Sequence, residues 1–154
     1  MEDEMNAKEY LSQIRKCDKR IDNKLSMLKT LHDLATSVTS AMKDTPVQSS
    51  GVNDKIGNTV VKIVDLENEI NAEVDKFVDL KREAMRFIDK LDPPYSCILY
   101  KRYFEYESWE QIAVELNFSF RHVTRMHGTG LTMLEKILKE NEKMSQNVLE
   151  CPTG

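Results

Sequence analysis

The sequence predicts an all-α protein: a long antiparallel helical hairpin followed by a small helix-turn-helix domain. Three observations carry that reading. Apolar residues recur at steps of seven through the first ninety positions, in two registers. A stretch rich in Pro, Gly and Ser separates the registers. The last third then carries helix-start and helix-cap signals in the order that three short helices require. Composition agrees: 154 residues with 40% hydrophobic and 31% charged residues, only five glycines and four prolines, a balance typical of a folded helical chain.

The first register is Ala7, Ile14, Ile21, Leu28, Ala35 and Met42, with Tyr10, Cys17, Leu31 and Val38 beside it and Leu11 and Leu25 along its edge. Positions seven apart share a helix face, so these form one apolar stripe, interrupted at its edges by Asp18 and Lys24. Arg15, Lys16, Lys19, Arg20 and Asp22 occupy the solvated side. The loop falls at about 44–52, through Pro46, Ser49, Ser50 and Gly51. The second register is Ile56, Ile63, Ile70, Phe77, Ala84 and Leu91, flanked by Val60, Val74 and Ile88 and by Leu66, Leu80 and Phe87. Gly57 weakens its first turn by about 1 kcal/mol relative to alanine. Two long helices joined this way are expected as antiparallel neighbours, each on the order of 55 Å long. The hairpin therefore occupies residues 1–91. Val64, Val78 and Met85 lie off the main seam and call for a second cover, either self-association into a homo-oligomer or docking on a larger protein.

Residues 92–140 read as the second domain. Asp92-Pro93-Pro94 breaks the pattern and starts a helix over about 95–106, with Ile98, Leu99 and Tyr103 or Phe104 inward and Lys101 and Arg102 outward. Ser108-Trp109-Glu110-Gln111 is a capping box that opens a short helix with Trp109, Ile112, Ala113 and Leu116 on one face. Ala113 provides the small side chain that two steeply crossing helices need. Asn117 stands where the chain must leave the helix in a left-handed conformation. Ser119 caps a third helix that carries Phe120, Val123, Met126 or His127, Leu131 and Leu134. The string from Gln111 to Arg125 is that of two helices joined by a tight turn. Gly128 and Gly130 fall inside the third helix, where they imply a bend or a close backbone approach. The tail, 141–154, has no periodicity and is expected to fray.

Leu91-Asp92-Pro93, Arg102-Tyr103-Phe104, Ser108 to Ala113 and Ser119 to Leu134 together resemble region 4 of bacterial sigma factors, over about a third of the chain. With the long helical first part and the run Arg121-His122-Val123-Thr124-Arg125-Met126-His127-Gly128, the whole resembles the small phage-encoded late-gene regulators of the RinA and ArpU type. The resemblance implies a DNA-binding transcriptional activator in phages and prophages of Gram-positive bacteria, acting with host RNA polymerase in the host cytoplasm. It lacks a second sigma-like domain that would melt a promoter, so an activator is expected and not an independent sigma factor.

In such a fold the third helix enters the major groove. With Val123 inward, the expected base-reading residues are Arg121, His122, Thr124 and Arg125. Arginine offers a fork that matches guanine O6 and N7, and Thr124 suits a thymine methyl or a phosphate. Ser119 at the helix start is expected to offer its amide to a phosphate, and Lys101 and Arg102, with Lys136 and Lys139 more weakly, to touch the backbone. His127 is expected inside the domain. The net charge of −4 weighs against a chain that holds DNA chiefly through phosphates, so the surface must be local or helped by a partner. Two other classes fit the same elements: a small-terminase-like DNA-packaging recognition subunit, and an adaptor that binds RNA polymerase. An enzyme is not expected, because the chain has no Gly-rich phosphate loop, metal-ligand cluster or nucleophile set at recognisable spacing; no cofactor or metal is implied. Cys17, Cys97 and Cys151 read as reduced thiols. The acidic start is unlike a secretory signal, and no apolar run is long enough to span a membrane.

Overall fold

A computed structural model describes residues 6–42 and 50–149. It is all-α: a long antiparallel hairpin of α1 (Ala7–Met42) and α2 (Ser50–Ile88), then α3 (Tyr95–Tyr103), α4 (Trp109–Leu116) and α5 (Phe120–Leu149). Residues 43–49, which take in most of the expected loop at 44–52, lie outside the described residues, as do Cys151 and the rest of 150–154; Ser50 to Val52 are already helical. None of the described helices is long and apolar enough to cross a membrane. Asn6 starts α1, its side-chain oxygen accepting from the backbone N–H groups of Lys8 and Glu9 at 2.9 and 3.3 Å.

The chain divides into two compact units, Cys17–Val78 and the residues to either side of it. In the first, the partners of α1 recede along α2 as α1 advances. Arg20 pairs with Glu73, Lys24 with Glu69 and Glu73 at 3.2 and 3.6 Å, and His32 with Glu67 at 3.7 Å. On α1, Cys17 and Ile21 are buried, while Leu28, Leu31, Ala35 and Val38 are half-buried; on α2, Ile63, Leu66 and Ile70 are buried. Spacings of three and four alternate along both rows, the seam of a two-stranded coiled coil. Of the two flanks seen in the second register, only that of Leu66 turns inward here. Val60 and Val74 stay exposed.

The second unit takes in the foot of the hairpin together with the three C-terminal helices. Ala7, Leu11, Ile14 and Ile88 are almost fully buried, and Tyr10 meets Phe87 edge-on and donates to Glu83 at 3.1 Å. Burial, and next the Glu83 charge, hold the Tyr10 hydroxyl well above the ordinary tyrosine range. α3 ends at Tyr103, three residues before the expected end, because the chain turns at Tyr106 with φ 58°. The Pro93–Pro94 peptide is cis. α3, α4 and α5 pack on one another around Ile98, Ile112, Ala113, Val123 and Met126, with Tyr95, Trp109 and Leu116 partly buried against them. Each fully buried Ile or Val there contributes about 1.5–3 kcal/mol. α5 runs unbroken through both glycines and on to Leu149, beyond the expected end of ordered helix.

The glycines have separate roles. Gly128 is exposed with nothing within 4 Å of where a Cβ would stand. Gly130 is buried against α3, and its Cβ would meet Tyr95 Cβ at 3.6 Å and Leu99 Cδ1 at 3.7 Å. Gly128→Ala should stabilise the protein by about 1 kcal/mol through helix propensity alone. Gly130→Leu should lower the thermal midpoint, because a longer side chain has no room at the α3–α5 contact. Thermal melts followed by circular dichroism check both; equal shifts for the two variants would contradict these placements.

Candidate nucleic-acid interface

The interface candidate is built on the turn between α4 and α5. Ser108 caps α4 as expected: its hydroxyl accepts from Gln111 N–H at 3.2 Å and Gln111 Oε1 accepts from Ser108 N–H at 2.8 Å. At the other end Asn117 adopts φ 57° and ψ 42°, the left-handed exit that its short amide side chain tolerates. Phe118 N–H donates to Ala113 carbonyl at 2.9 Å, closing the turn. Ser119 then caps α5, its hydroxyl accepting from His122 N–H at 3.2 Å. Ile112 and Ala113 of α4 are buried in the same core as Val123 and Met126 of α5, which leaves the outer face of α5's first two turns open.

On that face Arg121 and Arg125, one turn apart, are exposed. His122 is half-buried between them, edge-on to Phe118 with ring centroids 4.9 Å apart. Arg125 donates to His122 Nδ1 at 2.8 Å, which orients its guanidinium. Thr124 is half-buried and its hydroxyl lies 3.2 and 3.1 Å from the carbonyls of Phe120 and Arg121. The hydroxyl is thus tied to its own helix and its methyl is the group left to present.

Lys101 and Arg102 have other surroundings. Lys101 is held by three carboxylates: Glu105 at 3.5 Å, Glu107 at 3.4 Å and, most closely, Glu115 across the α3–α4 contact. The hydrogen bond to Glu115 raises its pKa above the ordinary lysine range. Burial pushes the Glu107 carboxyl up, and Lys101 pulls it back. Arg102 lies 4.3 Å from the centroid of the Trp109 ring and donates to Glu107 carbonyl at 2.9 Å. Both cations are engaged within the domain: Arg102 joins α3 to the start of α4, and Lys101 joins it to the loop before α4 and, through Glu115, to the end of α4. Lys139 is paired with Glu135 at 3.5 Å on its own helix.

His127 packs inside, stacked on Tyr103 at 5.7 Å, edge-on to Trp109 at 4.6 Å, and hydrogen-bonded to Tyr103 hydroxyl at 2.9 Å. Burial, and next the charge of Arg102, lower its pKa to about 4. Burial also raises the Tyr103 hydroxyl. The sequence reading did not single out Val114, Phe118 and Phe120 as a surface, yet they are 81, 36 and 49% exposed around the turn. The available signal was Val114, which lies off the inward face of its helix. Among the described residues, no group of three or more His, Cys, Asp or Glu could hold a metal ion. Set against models of known protein families, curated proteins and solved structures, the chain has no match.

Two outcomes follow. Because His127 is neutral in the folded protein and has an ordinary pKa when unfolded, the unfolded chain binds the extra proton between pH 6.5 and about 4. The stability tied to this ring is complete above pH 6.5 and is lost as pH falls toward 4. The loss is on the order of 1 kcal/mol after discounting for the solvent-open part of the ring. Melts across that window should flatten in His127→Gln. Separately, Lys101→Gln should lower the thermal midpoint by leaving Glu105, Glu107 and Glu115 uncompensated.

Proposed function

We propose that the chain is a sequence-specific DNA-binding transcriptional regulator, an activator of phage late genes that acts with host RNA polymerase. The observation that carries the reading is the turn: a boxed α4, a left-handed Asn117 and a Ser119-capped α5 that together set Arg121 and Arg125 on an open first face. That is the presentation by which a recognition helix meets base edges in the major groove. Arg121 and Arg125 are assigned to bases, the Thr124 methyl to a thymine, and the first amides of α5 at Ser119 to a phosphate. His122 positions Arg125 by accepting from it. Lys101 and Arg102 are left out of the interface, since carboxylates and the Trp109 ring hold them.

The resemblance to phage late-gene regulators supplies the direction of regulation and the partner. A second reading has its own support. The segment 92–140 holds six basic and seven acidic residues, and Val114, Phe118 and Phe120 form an apolar border around the turn. Such a surface also suits a protein partner, which makes an adaptor on RNA polymerase the alternative.

Arg125→Ala separates the readings. The expected result is a loss of about 1–3 kcal/mol in binding to the preferred DNA fragment, with helicity by circular dichroism unchanged. The salt dependence of Lys101→Gln binding should match wild type, since that lysine is not a phosphate contact. Retrieval of polymerase together with DNA binding that is absent, or indifferent to Arg125, would favour the adaptor.

A further inference from the structure

The exposed apolar side chains of the distal hairpin are ordered. On α2 the seam facing α1 runs through Thr59, Ile63, Leu66, Ile70, Glu73 and Phe77. One residue beyond each lies a second row: Val60, Val64, Glu67, Asn71, Val74 and Val78, all exposed, the valines by 37–49%. Its alternating spacing of four and three is that of a second coiled-coil seam, rotated by roughly 100° from the first. The corresponding row on the other side of the seam holds Lys62, Glu69 and Lys76. On α2, therefore, only one flank carries exposed valines in a repeating row; α1 adds exposed Met27 and Leu34 on the opposite side of the seam, without a matching apolar row on α2. His32 meets Glu67 on that flank, and Lys24, paired with Glu69 and Glu73, places neighbouring Leu25, 45% exposed, near the middle of the row.

The row is also a palindrome. Val60 matches Val78, Val64 matches Val74, and Glu67 matches Asn71, all about position 69. A helix row with this symmetry is complementary to an antiparallel copy of itself, which is the requirement of a two-fold interface. In that register valines meet valines in the four outer layers. In the two central layers the Asn71 amide of one chain is set to donate to the Glu67 carboxylate of the other. An unrelated partner would not call for the pattern to read the same in both directions.

We propose that a second copy of this chain docks along this row, α2 against α2 in antiparallel orientation and centred at residue 69, to form a dimer with a four-helix contact. This deepens the self-association expected of the hairpin and is tested without DNA, so its failure is distinct from failure of the DNA-binding reading.

Sedimentation equilibrium on the full chain provides the test. The wild type should run at twice the 17.9 kDa chain mass. Val64→Glu places a carboxylate against the partner subunit's Val74 twice per dimer. It should halve the mass while leaving helicity unchanged, because the side chain is exposed in the single chain. Combining it with Val74→Lys sets opposite charges face to face and should restore the dimer; combining it with Val61→Lys, off the row, should not. A monomeric wild type, a dimeric Val64→Glu, a Val64→Glu/Val74→Lys that stays monomeric, or equal rescue by Val61→Lys would each overturn the proposal.

Discussion

The C-terminal helices depend on the chain reversing direction within three residues after Leu116. α4 has only eight residues, too few to be stable as an isolated helix. It holds its place because the Ser108–Gln111 box satisfies its first amides and Asn117 turns the chain left-handed at its end. That exit lets Ala113 and Ile112 reach the core that Val123 and Met126 fill from α5. A β-branched residue at position 117 would resist the positive φ, and the core would lose one of its three walls. The same turn orients the start of α5, so the placement of Arg121 and Arg125 and the burial of Val123 are two consequences of one backbone conformation.

Charge is distributed with a similar economy. Lys101 and Arg102 join α3 to α4, one through carboxylates that include Glu115 near the end of α4, the other through a ring and a carbonyl at its start. His127 fills the space behind Trp109 as a neutral ring. The cations left on the open face of α5 are few, and an acidic chain with so small a basic surface gains little from counterion release. In the dimer and DNA-binding role proposed above, two copies held together would compensate, because the second reading helix would bind at the effective concentration set by its link to the first. On that proposal the self-complementary row on α2 and the sparse basic face on α5 are connected: the weaker a single reading surface is, the more a duplicate would add.

Much of this was legible in the sequence, and the rest was hidden for identifiable reasons. Heptad spacing made the hairpin visible, since a two-stranded seam is written in local periodicity. Ser108, Asn117 and Ser119 revealed the turn because caps and left-handed exits depend on single residue types. Partner choice among charges was not legible: Lys101 meets Glu115 only once α3 and α4 are packed, and spacing alone gives an exposed lysine. Gly128 and Gly130 looked alike in sequence, yet only Gly130 faces α3. Val60 and Val74 read as part of the apolar register, because two adjacent seams on one helix merge into a single wide stripe until the position of α1 separates them.

That separation explains why α2 carries polar residues inside both of its rows. In the first, Glu73 occupies a seam position and is balanced by Lys24. In the second, Glu67 and Asn71 stand between pairs of valines. A row of valines alone would be more apolar but would accept its partner at any shift of one heptad, since each layer would look like the next. With Glu67 and Asn71 at the centre of the proposed dimer, a one-heptad slip would bring Glu67 against valine and take the Asn71 donor away from it, a cost of the kind that sets register in coiled coils. In the proposed dimer the polar centre would thus trade some stability for a single alignment, and that alignment would fix the spacing of whatever the two chains carry.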